Sequence, residues 1–314
     1  MVSEIDRIRQ LRSLFGAPPP GVTLGIGDDA AVIESPKAGQ LVWTIDACVE
    51  NIHFRPNLIS WHEVGYKSFM AAASDIAAMA AHPIGALSSL ALPKDISDDA
   101  VWDLANGQKN AADKLNSAVI GGNLSASDTV SITTTVLGTS ARTPRRDGAR
   151  VGDLVALCGK VGLAAAGLRL LLRNPKHIPS TNEETEAIAA WRMPLARIAD
   201  GLRYHNASSL IDVSDGLSGD AHHIAKASGI RIDIDSSKVL SNTLLTVTMS
   251  LGVDALGLAL CGGEDYALLG TFADGKVPAG FVVIGMCCCG DGVWVDGKKL
   301  ADDCGFDHFR VPEA

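Results

Sequence analysis

Apolar residues in the first half of the chain follow two spacings in turn, every second residue in some segments and every third or fourth in others. Alternation over about four to eight residues is typical of a half-buried strand, and the longer spacing is typical of an amphipathic helix. The predicted elements are strands at 41–45, 84–92 and 130–137 and helices at 63–80 and 97–116. The N-terminal half is therefore expected to form a sheet that helices cover.

The pattern breaks in the middle of the chain, between residues 141 and 152. Four of these residues are arginines and hardly any is apolar, which is the composition of a linker between domains. A second set of predicted elements follows: strands at 154–157 and 208–212, helices at 163–172 and 217–227, a polar loop at 174–184 and an Asp-Gly hairpin at 293–298. The predicted domains are therefore 1–145 and 146–314.

Length and composition narrow the class of protein. With 314 residues the chain is long enough for two domains, and 47% apolar residues suffice to give each a core. The formal net charge of −9 disfavours binding to nucleic acid or to an anionic membrane surface. The N-terminus is charged and no segment has the apolar length of a membrane span, so we expect a cytoplasmic protein with no membrane partner.

The seven cysteines lie mostly in apolar, strand-like runs. They are therefore predicted to be buried free thiols rather than a disulfide framework. The run Cys287, Cys288 and Cys289 raises the question of a metal site. Successive strand residues point to opposite faces, so three in a row cannot easily surround one ion, and we expect a structural role for this run.

The most distinctive polar segments combine Gly, Ser or Thr with an acidic or amide residue next to a predicted strand or helix. They lie at 25–29, 44–46, 74–76, 121–123, 212–216 and 262–265. Carboxylates that the fold brings close together repel one another unless divalent cations lie between them. The segments therefore predict a magnesium and polyphosphate site, assembled from turns that are distant in sequence.

Two common phosphate-binding motifs are excluded. Residues 25–29 fail the dinucleotide fingerprint because Ala30 occupies the place of its third glycine, and no phosphate loop ending in Gly-Lys-Ser/Thr is present. The remaining segments also have ordinary structural interpretations: a tight surface turn at 25–29, an exposed helical Asp75, and a helix cap at Ser214 or Asp215. The pattern alone leaves these alternatives open.

Several motifs are weak singly but specific in their order and spacing. They lie at 25–32, Asp46 with 49–54, 74–79, 121–122, 146–153, 211–217, 262–266 and 305–309. Together they resemble thiamine-monophosphate kinase, within the superfamily of aminoimidazole ribonucleotide synthetase. The resemblance covers nearly the whole chain and implies a two-domain α+β or α/β fold. In that fold an N-terminal mixed sheet with helices pairs into a barrel across a homodimer, and the C-terminal half is an α/β domain.

The resemblance also implies an activity, which is ATP-dependent phosphorylation of thiamine monophosphate to thiamine diphosphate by direct in-line transfer. No covalent nucleophile is expected, because magnesium ions neutralise the two mutually repelling phosphates. The implied site residues are Asp29, Thr44, Ile45, Asp46, Asp75, Asn123, Asp212 and Asp215 for several magnesium ions, Gly122, Asn123, Arg146 and Ser214 for ATP, and His53, Glu264 and Phe306 for thiamine monophosphate.

Two positions depart from the family's pattern. Asn123 stands where the family usually has Asp, and Ile45 stands where it usually has Thr. Asn123 offers a carbonyl oxygen but no charge, so one magnesium site is expected to be weaker, whereas Ile45 is tolerated if only its backbone carbonyl is used. Two alternatives therefore stay open: another ATP-using enzyme of the superfamily, and a nucleotide-binding paralogue with weakened turnover.

Overall fold

The computed structural model describes residues 4–17, 19–20, 22–24, 32–33, 39–204, 206–301 and 305. The chain divides between Thr143 and Pro144 into two compact units. The predicted boundary at residue 145 lies close to this division. Which ligands each domain binds, and which domain pairs with a second copy, stay predictions.

The N-terminal unit contains, in its described part, three helices and six strands. They are α1 (Glu4–Phe15), β1 (Val22–Leu24), β2 (Val32–Ile33), β3 (Gln40–Val49), α2 (Trp61–Ala78), β4 (His82–Leu92), α3 (Asp98–Lys114), β5 (Val119–Ala126) and β6 (Ser131–Ser140). Four of the strands form a mixed sheet in the order β3, β6, β4, β5, in which only the β4–β5 pair is parallel. Helices α2 and α3 complete the predicted arrangement of a mixed sheet with helices.

Helices α2 and α3 approach so closely that glycine is required at their contact. A Cβ atom on Gly65 would lie 1.9 Å from the carbonyl oxygen of Leu104, and one on Gly107 would lie 1.9 Å from the carbonyl oxygen of His62. Both distances are far inside van der Waals contact. The start of α3 is the predicted one, because the Ser97 side chain accepts the N–H of the third residue after it.

Two segments that were predicted to be turns, 44–46 and 121–123, lie inside strands, so this part of the prediction is wrong, whereas 74–76 lie in a helix as predicted. Residues 44–46 are in the middle of β3, which continues past Asp46 because it pairs with β6 over its whole length. Residues 121–123 belong to β5, where Gly122 permits close parallel pairing: a Cβ atom there would lie 1.9 Å from the carbonyl oxygen of Ser88. Residues 74–76 lie in the last turns of α2.

The C-terminal unit contains, in its described part, six helices and seven strands. They are β7 (Leu154–Cys158), α4 (Leu163–Arg173), α5 (Asn182–Arg192), α6 (Ile198–Gly201), β8 (Ser209–Val213), α7 (Leu217–Ser228), β9 (Arg231–Ile234), α8 (Asn242–Leu251), α9 (Ala255–Cys261), β10 (Ala267–Phe272), β11 (Val282–Cys288), β12 (Gly292–Val295) and β13 (Lys298–Lys299). The strand order is β13, β12, β9, β11, β7, β10, β8. All pairs are antiparallel except β9–β12.

The ends of several C-terminal elements agree with the local sequence. Gly229 closes α7 in the left-handed conformation, at φ 64°, and the pair Asp296 and Gly297 joins β12 to β13 as an antiparallel hairpin. The predicted polar loop at 174–184 is too long. Helix α5 already begins at Asn182, because the Thr181 side chain accepts the N–H of Glu184 and caps it.

The prediction of free thiols holds for five of the cysteines: Cys48, Cys158, Cys287, Cys288 and Cys289. It is wrong for Cys261, which is disulfide-bonded. Burial was the reason for expecting free thiols, and Cys261 lies exposed at the end of α9. In the run at Cys287 the first thiol is buried, the second is partly exposed, and Cys289, just beyond the end of β11, is exposed.

The helices in the described part of the chain were also compared with the requirements of a membrane span. No single one of them is long and apolar enough to cross a bilayer. The pair α8 and α9 meets the length and composition criterion only when joined across a bend of 117°.

Candidate functional site

In the N-terminal unit, β3 and α2 bring three of the predicted magnesium ligands together. Thr44 and Asp46 are two residues apart on β3 and therefore point to the same face of the sheet, on which α2 packs. The Thr44 hydroxyl donates a short hydrogen bond to Oδ2 of Asp75 on α2. Oδ1 of Asp46 accepts the N–H of Ala47 at 2.7 Å. This face therefore presents hydroxyl and carboxylate oxygens from two elements.

Ile45 lies between these residues but on the opposite face of β3. Ile45 is 68% exposed, and Leu41 and Trp43 on the same face are exposed as well. The Trp43 indole N–H donates to Oγ1 of Thr135 on the neighbouring strand, which holds the ring across that face. Ile45 therefore has no side-chain route to the Thr44 face, and only its backbone carbonyl is a potential ligand.

His53 lies in the tight turn that follows β3. Asn51 has a positive φ of 64°, and its N–H donates to the carbonyl oxygen of Phe54 at 2.7 Å, which closes the turn. Nδ1 of His53 accepts the N–H of Val49 at 3.0 Å. A neutral His53 consequently carries its proton on Nε2, and the ring orientation is fixed by the backbone.

Gly122 and Asn123 lie on β5, at the other edge of the four-stranded sheet from β3. One row of the sheet runs from Asp46 through Thr134 and Ser88 to Gly122. Three strand spacings separate the ends of this row, which is about 14 Å. The N-terminal unit therefore does not bring Asn123 into contact with Asp46, and both Gly122 and Asn123 are exposed.

In the C-terminal unit, three loops meet at one edge of the sheet. Cys158, the last residue of β7, and Asp212, near the end of β8, both pair with Leu268 at the beginning of β10. The loops that follow β7 and β8 and the loop that precedes β10 must therefore lie side by side. They are the 159–162 loop, the 212–216 turn and the 262–266 turn.

The 212–216 turn carries the predicted residues Asp212, Ser214 and Asp215. Asp212 is still part of β8 and only 5% exposed, and Gly216 turns the chain into α7 at φ 116°. The turn is held by Asp220, whose Oδ2 accepts the N–H of Ser214 at 3.1 Å and that of Asp215 at 3.3 Å.

Three carboxylates consequently lie near one another at this turn. Burial and, to a lesser extent, the negative charges of Asp212 and Asp215 raise the pKa of Asp220 to about 8, against the lowering effect of the two N–H groups. Such mutual repulsion is the electrostatic condition that a cation or a proton relieves.

Glu264 is held in the 262–266 turn in an unusual conformation. Its φ is 69°, and its N–H donates to the carbonyl oxygen of Ser214 at 2.7 Å. Oε2 of Glu264 accepts the indole N–H of Trp191, a buried residue of α5, at 2.9 Å. A Cβ atom on Gly263 would lie 2.6 Å from the same Ser214 oxygen, so glycine is needed there. The predicted substrate residue Glu264 is thus fixed by both backbone and side chain.

Asp265 links the same turn to the start of α4. Its carboxylate accepts the N–H of Gly162 at 2.5 Å and that of Ala164 at 2.9 Å. Burial of the carboxyl group raises its pKa to about 7, although these N–H groups act in the opposite direction. The N-terminus of α4 is therefore already occupied by a side chain of this unit.

Arg146 opens the short 3-10 turn Arg146–Gly148 and its side chain is exposed. Its carbonyl oxygen accepts the hydroxyl of Ser228 at 2.9 Å, which fastens the turn to α7. Burial lowers the pKa of His223 on α7, and the charge of Arg146 lowers it further while that of Asp215 raises it. The charges of Arg146 and Asp215 therefore both act on His223, in opposite directions.

The donor atoms of the predicted metal residues fit magnesium, which prefers oxygen ligands. Thr44, Asp46 and Asp75 supply oxygen atoms in one unit, and Asp212 and Asp215 supply them in the other. Among the described residues, no three His, Cys, Asp or Glu side chains form a preformed cage for a metal ion. That is compatible with magnesium, which is usually bound by one or two carboxylates together with water and substrate phosphates.

Two predicted residues, Asp29 and Phe306, lie outside the described residues. Sequence reasoning missed Asp220 and Trp191, which hold predicted site residues in place, and it included Asp265 in the 262–265 segment without its role of joining that turn to α4. For Asp220 a signal existed, because an acidic residue in the first turn of a helix is typical of an N-terminal cap.

Comparisons with known proteins agree with the motifs. The family model of the AIR synthase related protein, N-terminal domain, matches residues 27–140. A thiamine-monophosphate kinase of Aquifex aeolicus is 38% identical over 290 residues, which cover 90% of this chain and 92% of that protein. The Mycobacterium tuberculosis enzyme of the same name is 33% identical over 309 residues, which cover 94% and 88% of the two chains.

Solved structures are similar over the same extent. The structure of AaThiL complexed with AMPPCP and TMP aligns with a TM-score of 0.83 at 34% identity, covering 98% of this chain and 97% of that chain. A hydrogenase maturation protein, HypE, aligns with a TM-score of 0.75 over 99% of both chains, but at 16% identity. The second likeness therefore concerns the fold alone.

Proposed function

Because the chain belongs to the thiamine-monophosphate kinase family, we propose that it transfers the terminal phosphoryl group of ATP to the phosphate of thiamine monophosphate, which yields thiamine diphosphate. The observation that carries this proposal is the oxygen-rich face formed by Thr44, Asp46 and Asp75, within a chain that aligns with its relatives over almost its full length. The other ATP-using enzymes of the superfamily are less similar, since HypE is 16% identical.

The proposed reaction is a direct in-line displacement, in which the acceptor phosphate attacks the terminal phosphorus of ATP and ADP leaves. Both reactants are polyanions, so magnesium would neutralise their oxygens and hold them in line when it is bound. We assign Asp46 and Asp75 as ligands, with the carbonyl oxygen of Ile45 as a further donor. The hydrogen bond from Thr44 fixes the orientation of Asp75 before any ligand arrives.

In the C-terminal unit, the 212–216 turn and Arg146 are assigned to ATP and its cations. Asp212 and Asp215 supply carboxylates, and Ser214 offers a hydroxyl between them. Arg146 offers a planar guanidinium that suits two phosphate oxygens, which a lysine would match less specifically. On β5 of the N-terminal unit, Gly122 exposes backbone, and Asn123 offers an uncharged oxygen.

The thiamine end of the acceptor is assigned to His53, Glu264 and Phe306. Thiamine carries a cationic thiazolium ring, so the fixed carboxylate of Glu264 is electrostatically suited to it. The Trp191 indole N–H holds one oxygen of that carboxylate, which keeps its direction constant. His53 is oriented by Val49 and is assigned to the phosphate-bearing side of the acceptor.

The test is a kinase assay with purified protein, ATP, magnesium and thiamine monophosphate, in which thiamine diphosphate is measured by chromatography. Wild type is expected to form product, and Asp46→Ala is expected to lose at least about a hundredfold in kcat, as for the removal of a group that supports the transition state. The absence of product at high enzyme concentration would refute the proposal.

Asn123 adds a second arm to this assay. Asn123→Asp adds a carboxylate and is expected to lower the magnesium concentration that gives half-maximal rate. If wild type bound AMPPCP and thiamine monophosphate without turnover and Asn123→Asp restored turnover, the chain would instead be a nucleotide-binding paralogue.

We also propose that two copies pair through the exposed face of β3, formed by Leu41, Trp43 and Ile45. These residues are 56%, 72% and 68% exposed and occupy every second position on one strand. Burying them against a second copy would complete the barrel that the family resemblance implies. Sedimentation of wild type as a monomer at micromolar concentration would contradict pairing. We assign the protein to the cytoplasm, where ATP and magnesium are available.

A further inference from the structure

Asp220 touches two of the residues assigned to ATP and magnesium without being one of the predicted site residues. It lies on the first turn of α7, it is 3% exposed, and a single oxygen of its carboxylate accepts the backbone N–H groups of Ser214 and Asp215. The contact is therefore with the backbone of the turn, and it determines where the side chains of Ser214 and Asp215 are directed.

The backbone of Ser214 is held by hydrogen bonds at both its N–H group and its carbonyl oxygen. Its N–H donates to Asp220, and its carbonyl oxygen accepts the N–H of Glu264. The adjoining Val213 carbonyl oxygen accepts the N–H of Tyr266 at 2.8 Å. The 262–266 turn thus holds the carbonyl oxygens of the 212–216 turn, and Asp220 accepts its N–H groups at Ser214 and Asp215.

We propose that Asp220 is a positioning residue for the phosphoryl transfer, which orients the 212–216 turn so that Ser214 and Asp215 meet the magnesium-bound nucleotide in the productive geometry. The proposal rests on the proposed function, because it assigns the turn to the nucleotide. Asp220 itself has no contact with substrate in this account, since its oxygen is engaged by the backbone.

The nature of the contact determines which substitutions are informative. Asp220→Asn keeps a carbonyl oxygen of nearly the same size and position, so both N–H groups can still be accepted. Asp220→Ala removes the acceptor of two partly buried N–H groups, which releases the turn. Comparing the two variants therefore separates the hydrogen bonds from the charge.

Asp153 provides a matched control. It is 5% exposed, and its carboxylate also accepts a backbone N–H, that of Arg150 at 2.9 Å. It precedes β7, which runs parallel to β8 because both pair antiparallel with β10, so it lies at the opposite end of the sheet from Asp212. Asp153→Ala is therefore expected to lower thermal stability and to leave the kinetic constants of the folded protein unchanged.

The experiment measures kcat, KM for ATP, the melting temperature, and the affinity for AMPPCP with magnesium by calorimetry. Loss of two hydrogen bonds of ordinary strength predicts that Asp220→Ala weakens AMPPCP binding by about tenfold or more and lowers kcat/KM for ATP to a similar extent. Asp220→Asn is expected to stay within about threefold of wild type in both quantities, since the acceptor is retained.

Different outcomes overturn different statements. Asp220→Ala with the nucleotide affinity and KM of wild type, or with losses no larger than those of Asp153→Ala, would overturn the positioning role. Equal damage in Asp220→Asn and Asp220→Ala would overturn it as well, because the hydrogen bonds would then not be the cause. If wild type bound AMPPCP but formed no product, the proposed function would fail, and the calorimetric comparison would still decide the role of Asp220.

Discussion

Replacing Asp265 with Asn is expected to remove a pH dependence of stability that this one carboxyl group creates. Two effects act on the group in opposite directions. Burial raises its pKa to about 7, and the negative charge of Glu264 acts in the same direction, whereas the N–H groups of Ala164, Gly162 and Leu163 lower it. The outcome decides whether burial or hydrogen bonding dominates at the start of α4.

The direction in which stability changes with pH follows from comparing the pKa of this group in the folded and unfolded states. The ordinary pKa of aspartate is 3.8 and the folded value is about 7, so the folded state binds this proton more tightly. The stabilisation is therefore fully present below about pH 4 and is lost as the pH rises towards 7. A difference of about three pKa units corresponds to an upper limit of about 4 kcal/mol.

The assay is urea denaturation of wild type and Asp265→Asn at pH 5 and pH 8. A metal chelator is present, and unfolding is monitored by tryptophan fluorescence. Asn is nearly isosteric and does not titrate, so subtracting its free energy of unfolding removes the contributions of other groups. The stability of wild type relative to the variant is expected to fall by about 2–3 kcal/mol between pH 5 and pH 8. A difference that stays constant or rises with pH would refute the reasoning and would show that the N–H groups hold the carboxylate ionised.

Two further predictions concern the N-terminal unit. Gly65→Ala places a methyl group against the carbonyl oxygen of Leu104, so α2 and α3 must separate. The free energy of unfolding, measured by urea denaturation, is expected to fall by about 2–3 kcal/mol. A loss below about 0.5 kcal/mol would contradict the close packing. Thr44→Val keeps the shape of the side chain but removes the hydroxyl that donates to Asp75. The magnesium concentration that gives half-maximal kinase rate is therefore expected to rise about tenfold, while the melting temperature changes little. Unchanged magnesium activation would show that the Thr44 hydroxyl does not orient the carboxylate.

Local sequence predicted those parts of the fold that short-range chemistry determines. The helix predicted to start at residue 97, the helix predicted at 217–227 and the Asp-Gly hairpin at 293–298 depend on a few adjacent residues, and the structure confirms them. The extent of β3 depends instead on its pairing with β6, about 90 residues away, as in the contact between Trp43 and Thr135 across 92 positions. A short apolar run could not reveal that pairing.

The same distinction applies to the site. Oxygen-bearing residues could be identified from composition and order, but the residues that orient them could not. Asp265 contacts Gly162 across 103 positions, and Trp191 contacts Glu264 across 73. These contacts arise only after β7, β8 and β10 have paired and brought their loops to one edge of the sheet. No local pattern marks Trp191, and the 262–265 segment that contains Asp265 does not show which distant N–H groups its carboxylate accepts.

The backbone at this edge explains why the site residues are expected to be in place before any ligand binds. Glu264 and Tyr266 both have positive φ values, 69° and 49°, a conformation that costs about 1–3 kcal/mol for residues other than glycine. The N–H groups of both residues donate to carbonyl oxygens of the 212–216 turn, at Ser214 and Val213. The hydrogen bonds that offset this strain are thus the same ones that join the turn assigned to ATP to the turn assigned to thiamine monophosphate. Displacing either turn would break these bonds and leave the strain at Glu264 and Tyr266 uncompensated. The two turns are therefore expected to keep one relative position, which is what an in-line transfer between two bound phosphates requires.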